Sequence, residues 1–95
     1  MSLEALTEKY IPMAEKVFSE LTRTQTTISL TEEAVASVLS YANDYLEDAK
    51  YYKAQGKLET SLTSVAYCEG LLDGLRLLGA VDFVWPTKPQ QESKE

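Results

Sequence analysis

Three charged side chains interrupt the most apolar stretch of the sequence, YCEGLLDGLRLLG. Glu69 and Asp73 are four residues apart and Arg76 follows Asp73 by three, so all three lie on one side of a helix. Two carboxylates beside a guanidinium could hold a polar ligand or a hard cation such as Mg²⁺. The candidate ligand-binding residues are therefore Tyr67, Glu69, Asp73 and Arg76. A polar clasp that fixes how this helix docks is the alternative interpretation.

Residues that usually carry catalysis are scarce. The chain contains no histidine, which removes the commonest general base and metal ligand. The Glu-x-x-His pairs of di-iron helical bundles are absent for the same reason. Cys68, the one cysteine, has no base near it in the sequence, so we predict a buried, unreactive thiol. We assign no catalytic residue, no metal site and no cofactor, and this pattern favours a protein that is not an enzyme.

Composition narrows the class of partner. The chain has 95 residues, which suits one small domain, and a formal net charge of −6. A phosphate backbone would be repelled by that charge, so nucleic-acid binding is disfavoured. The sequence contains no apolar run long enough for a membrane span. A lone cysteine is typical of a reducing compartment, and we expect a cytoplasmic protein.

Hydrophobic spacing predicts three helices, at about residues 3–22, 31–54 and 58–78. Pro12 lies opposite the apolar stripe of the first helix, which favours a bend there over a break at Ile11. Ser29 and Thr31 compete as the N-cap of the second helix. Gly56 and Gly79 suit the left-handed position that follows a helix end.

The fold class that follows is all-α, an up-and-down three-helix bundle over residues 1–85. The short connection at Gly56 requires the second and third helices to be antiparallel. Beyond the third helix, the apolar segment AVDFVWP is expected to fold over the open end of the bundle and bury Phe83 and Trp85. Residues 86–95 lack apolar side chains and are expected to form a disordered tail.

The third helix is apolar almost all round, which is typical of a helix inside a larger core. In a bundle of three helices none can be surrounded, so some of its surface must be covered by the C-terminal segment, a partner chain or a ligand. We expect the uncovered apolar surface of the third helix to drive association of the chain with a partner. The candidate interface residues are Tyr51, Gly70, Leu71, Gly74, Leu77 and Leu78.

Gly70 and Gly74 occupy the interior of the third helix, where each costs about 1 kcal/mol relative to alanine. Close approach of another group is the usual compensation. Tight packing within the chain is the interpretation we favour. A seam between two copies and a groove for a small ligand are the alternatives.

Residues 51–79, YYKAQGKLETSLTSVAYCEGLLDGLRLLG, resemble the signature half of an archaeal family, domain-of-unknown-function family number 357. The shared elements are the tyrosine pair, Gly56, the small residues ending at Ala66-Tyr67, Gly70, Leu72-Asp73 and Gly79. The first 50 residues resemble the family only loosely. Cys68 and Gly74 depart from the alanine or other small residue expected at those positions.

The resemblance implies a three-helix up-and-down bundle in an archaeal cytosolic protein, with no established activity. It also implies that some relatives are joined to nucleotidyltransferase-like domains. Together with the surplus apolar surface, this predicts a non-enzymatic protein-interaction or self-assembly module, whose partner is a second copy of the chain or another protein. The alternative is a small-ligand or nucleotide-binding accessory domain.

Overall fold

The computed structural model describes residues 2–24 and 27–86, which form three helices and, in those ranges, no strand. The helices are α1 (Leu3–Glu20), α2 (Glu32–Ala54) and α3 (Leu58–Leu77). Each boundary lies within two residues of its predicted position, and the predicted all-α class is confirmed. The tail predicted for residues 86–95 lies, apart from Pro86, outside the described residues.

Polar side chains begin the first two helices. The Ser2 hydroxyl accepts a hydrogen bond from the Ala5 amide at 3.0 Å. Thr31 does the same for the Ala34 amide, also at 3.0 Å, so Thr31 rather than Ser29 is the N-cap of α2. In both cases the side chain satisfies an amide that has no partner within the helix.

Glycines in the left-handed conformation follow the ends of α2 and α3, as predicted. Gly56 has a φ of 77° and Gly79 a φ of 80°. After α2 the Lys57 amide donates to the Tyr52 carbonyl at 2.9 Å, and after α3 the Ala80 amide donates to the Leu75 carbonyl at 2.9 Å. These are the hydrogen bonds of the Schellman motif, which reverses the chain immediately after a helix.

The packed core lies between α2 and α3, which are antiparallel. The buried side chains are Ala42, Ala49, Cys68 and Leu75. Two alanines on α2 allow the backbones to approach closely, and the Ser61 hydroxyl donates to the Ala49 carbonyl at 2.7 Å across the contact. Nearer the other end, the ring of Tyr45 on α2 meets that of Tyr67 on α3 edge to face, with centroids 4.5 Å apart.

Close packing does not extend to α1. Among the described residues, α2 and α3 are the only two helices in close backbone contact, and no residue of α1 is buried. The first turns of α1 border an open groove beside the start of α3, lined by Leu3, Leu6, Tyr10, Glu59, Thr60 and Thr63. The three predicted helices are therefore present, whereas the tight packing that a bundle implies is confined to two of them.

Pro12 lies within α1, which is continuous through it. Its ring is exposed on the side opposite the apolar stripe. The Glu8 carbonyl, which loses its helical donor, lies on the same exposed part of the helix, so α1 continues without a break. No helix of the described residues is long and apolar enough to cross a membrane.

Candidate functional site

A group of four side chains, which we call the Asp73 cluster, joins α3 to the segment that follows it. One carboxylate oxygen of Asp73, Oδ1, accepts a hydrogen bond from the Trp85 indole at 2.8 Å. The same oxygen accepts two from Arg76, from Nε at 3.3 Å and from Nη2 at 3.1 Å. The Arg76 guanidinium lies 5.7 Å from the centre of the Phe83 ring, and the Phe83 and Trp85 rings meet edge to face at 4.9 Å.

The C-terminal segment therefore folds back along α3, held there through Asp73. Phe83 is half-buried, while Trp85 keeps 37% of its surface exposed, so the burial expected for this pair is only partial. The segment lies on the side of α3 that carries Glu69 and Asp73, and it leaves the apolar side chains Leu77 and Leu78 exposed. An indole N–H generally takes a hydrogen-bond acceptor when its ring packs.

Hydrogen bonds set the ionisation of Asp73. The pKa of this carboxyl is lowered from its ordinary value, first by the hydrogen bond from Trp85 and next by that from Arg76. A carboxyl whose pKa is lower in the folded state favours folding at pH values above its unfolded pKa. That contribution is lost as the pH falls through the folded pKa.

We expect acidification to release Trp85 from Asp73. Trp85 is the only tryptophan of the chain, so its fluorescence reports the contact directly. The emission should change in a transition below the ordinary aspartate pKa, because the protonated carboxyl is a weaker acceptor for the indole. The measurement is an emission titration from neutral to acidic pH, with circular dichroism followed in parallel.

The control is Asp73→Asn, which keeps an acceptor oxygen but cannot ionise. This variant should lack the transition while its helix content stays unchanged. A transition of equal size in the variant would show that another group is titrating.

Three of the four candidate ligand-binding residues are brought together. Glu69 and Asp73 line an open groove of about 420 Å³ with Trp85 and Pro86, and Arg76 borders it through its contact with Asp73. Trp85 and Pro86 were missed by the sequence reasoning, because they lie beyond the helix that carries the charged residues. Ligand binding in this groove stays a prediction.

Tyr67 does not belong to this groove. Its ring packs on Tyr45 of α2. At about 100° per residue, Tyr67 and Asp73 point in directions roughly a third of a turn apart around α3. Among the described residues, no group of three cysteine, aspartate or glutamate side chains is placed to hold a metal ion.

A second feature is the outer face of α3, which we define by Thr63, Ala66, Gly70, Gly74 and Leu77. A Cβ atom placed on either glycine would meet no neighbour within 4 Å. The tight intramolecular packing that we favoured for the two glycines is therefore wrong. The remaining helix, α1, does not pack against the two glycines.

Large apolar side chains flank this open surface. Leu77 is 76% exposed, and Leu78 and Tyr67 also expose more than half of their surface. Leu71 is half-buried at the edge facing the core. The apolar surplus predicted for this helix is thus left uncovered by the rest of the described chain.

Tyr51, the remaining candidate interface residue, lies elsewhere. It is on α2, half a turn away from the buried Ala42, and its ring is exposed and meets Tyr52 edge to face at 5.2 Å. Tyr51 and the outer face of α3 therefore do not form one continuous surface.

Cys68 is buried in the contact between α2 and α3, as predicted. Burial raises the pKa of its thiol, and the negative charge of Glu69 raises it further. Both effects disfavour the thiolate, which is the reactive form. Cys68 therefore acts as a small apolar side chain of the core.

These features define a small all-α protein: an antiparallel helix pair with an open outer face and a C-terminal segment fastened by one carboxylate. Residues 9–81 match a family model described as Protein of unknown function (DUF357), and the chain belongs to this family. The match extends over most of α1 and all of α2, where the sequence resemblance was loose. Comparison with curated proteins and with solved structures gave no match.

Proposed function

We propose that this protein is a non-enzymatic interaction module that binds another protein surface through the outer face of α3. One observation carries the proposal. Gly70 and Gly74 leave a strip without side chains in the middle of an apolar helix, and nothing within the described chain fills it. A strip of this kind lets the backbone of another helix approach closely.

The energy available at this surface is considerable. Covering one exposed leucine contributes about 1.5–3 kcal/mol, and Leu77 and Leu78 both lie at the C-terminal end of the surface. The two interior glycines together cost about 2 kcal/mol of helix stability. Tight docking of a partner on the two glycines offsets that cost, whereas a chain without a partner has no contact among its described residues that compensates for it.

The setting we propose is the cytoplasm of an archaeal cell. The single thiol, buried and without a partner cysteine, suits a reducing compartment. The archaeal source is what the family resemblance implies. The net charge of −6 favours a protein partner over nucleic acid.

Site-specific crosslinking in cells that produce the native protein tests the proposal. A photoreactive phenylalanine analogue in place of Leu77 should give discrete protein adducts. The same analogue in place of Ser40, which is exposed on the side of α2 away from α3, is the control and should give none. No adduct at either position, or equal adducts at both, would contradict the proposal.

The groove lined by Glu69, Asp73, Trp85 and Pro86 supports a second candidate function, a small-ligand or nucleotide-binding accessory. Thermal unfolding in the presence of nucleotides and divalent cations tests it. A ligand at 100 times its dissociation constant adds about 2.7 kcal/mol to the free energy of unfolding. An unchanged melting temperature with every compound would remove this candidate.

A further inference from the structure

The apolar face of α1 has no cover within the described chain. Its stripe consists of Leu3, Leu6, Tyr10, Met13, Val17 and Leu21, and all of these except the half-buried Leu6 expose more than half of their surface. A helix of 18 residues that contains a proline is marginal in water on its own. Persistence of α1 therefore requires a surface on which this stripe can pack.

We infer that this surface is the outer face of α3 in a second copy of the chain, with α1 lying antiparallel to it. The inference rests on the proposed function, since it names the partner of the same face. The lengths agree: the 18 residues of α1 span about 27 Å, and the 16 residues from Thr63 to Leu78 span about 24 Å.

Charge selects the antiparallel direction. At about 100° per residue, Lys9, Lys16 and Glu20 border one edge of the α1 stripe, and Glu69, Asp73 and Arg76 border one edge of the outer face of α3, so the two edges carry net charges of +1 and −1. Asp73 is already bonded to Arg76 and Trp85, which leaves Glu69 to face the lysines. Two facing helices bring these edges together only when they are antiparallel. In the parallel arrangement the lysines fall on the opposite side. Lys16 contacts Glu20 at 2.9 Å in the single copy, but this exposed pair contributes little and can exchange partners.

Docking of α1 on its own α3 would give the wrong direction. The first turns of α1 lie beside the first turns of α3, in the groove between Tyr10 and Thr63. If α1 continued from there along its own α3, it would run parallel to α3, and its lysines would lie on the side away from Glu69.

The area is sufficient for a stable dimer. A two-fold axis makes the contact twice, since α1 of each copy covers α3 of the other. The two faces carry seven large apolar side chains, six in the stripe of α1 and Leu77 on α3, and Tyr67 and Leu78 flank the outer face. At about half exposure these nine side chains supply on the order of 900 Å² per copy, where a stable interface takes about 800 Å² from each partner.

Sedimentation equilibrium of the full chain tests the inference, with Gly70→Leu as the disrupting variant. The wild-type protein should have twice its chain mass of 10.6 kDa. A Cβ atom at position 70 meets nothing of the described chain within 4 Å in the single copy, and leucine favours the helix over glycine, but its side chain obstructs a docked α1. The dimer dissociation constant should rise roughly tenfold or more. Ser40→Leu, which adds the same side chain on the far side of α2, should leave it unchanged.

Charge exchange tests the direction. Lys16→Glu and Glu69→Lys should each weaken the dimer, and the two together should restore it, because the pair is then reversed. A monomer at every concentration, a dimer insensitive to Gly70→Leu, or no restoration in the double variant would overturn the inference. Adducts of Leu77 with a different protein, found together with a monomer in solution, would leave the proposed function standing and remove only the second copy.

Discussion

Replacement of Leu75 by alanine is expected to lower the free energy of unfolding by about 2–5 kcal/mol. Leu75 lies in the contact between α2 and α3 with only 5% of its surface exposed, and it is the largest of the four buried apolar residues among the described positions. The other three are two alanines and a cysteine, which cannot expand into the space left behind. Urea denaturation at a fixed, low protein concentration measures the change.

Leu58→Ala is the matched control. It removes the same atoms from the same helix, but the Leu58 side chain is 65% exposed and lies outside the outer face of α3, so we expect a change within about 0.5 kcal/mol. Equal losses for the two variants would mean that α3 buries a different side than the one described.

The second large effect is expected for Ala42→Leu, which should lower the free energy of unfolding by about 1–3 kcal/mol. Ala42 is 2% exposed where α2 and α3 approach each other, and three additional carbon atoms must push the helices apart. The small side chain is therefore required by geometry, even though leucine is more apolar. Thermal unfolding followed by circular dichroism measures the loss.

The same substitution at Ala36, which is exposed on α2, separates packing from helix propensity. Ala36→Leu should change the free energy of unfolding by less than about 0.5 kcal/mol. Two variants with the same loss would indicate that leucine acts through the helix itself rather than through the contact with α3.

Local signals in the sequence were sufficient to predict the helices. Apolar spacing, the two candidate N-caps Ser29 and Thr31, and the glycines at positions 56 and 79 depend on residues within a few positions of one another. The structure selects Thr31 as the cap and agrees with the other signals. The surplus of apolar surface on α3 was also predictable, because it requires only the number of helices and the composition of one of them.

The arrangement of α1 was not predictable in the same way. An amphipathic stripe indicates that one face of a helix must be covered, but it does not indicate which surface covers that face. Different apolar surfaces can cover the same stripe. The expected packing at Gly70 and Gly74 failed for this reason: glycine indicates that something comes close, without indicating that it belongs to the same chain.

The Asp73 cluster shows a different limit. The i, i+3 pair of Asp73 and Arg76 was visible in the sequence, and the structure gives it a contact of 3.1 Å. The third partner, Trp85, joins through the path of the chain after Gly79, which depends on tertiary contacts. Tyr67 was grouped with the charged residues through proximity in sequence, although Tyr45 of α2 holds its ring on another side of the helix.

The tight reversal at Gly56 also has a consequence for the order of folding. Contacts between α2 and α3 join residues that are close along the chain, and chain segments with such local contacts fold fast. During synthesis α1 leaves the ribosome first, whereas the surface that we assign to it exists only after α3 has been made. The hairpin of α2 and α3 should therefore form as the initial unit, and α1 should find its place last.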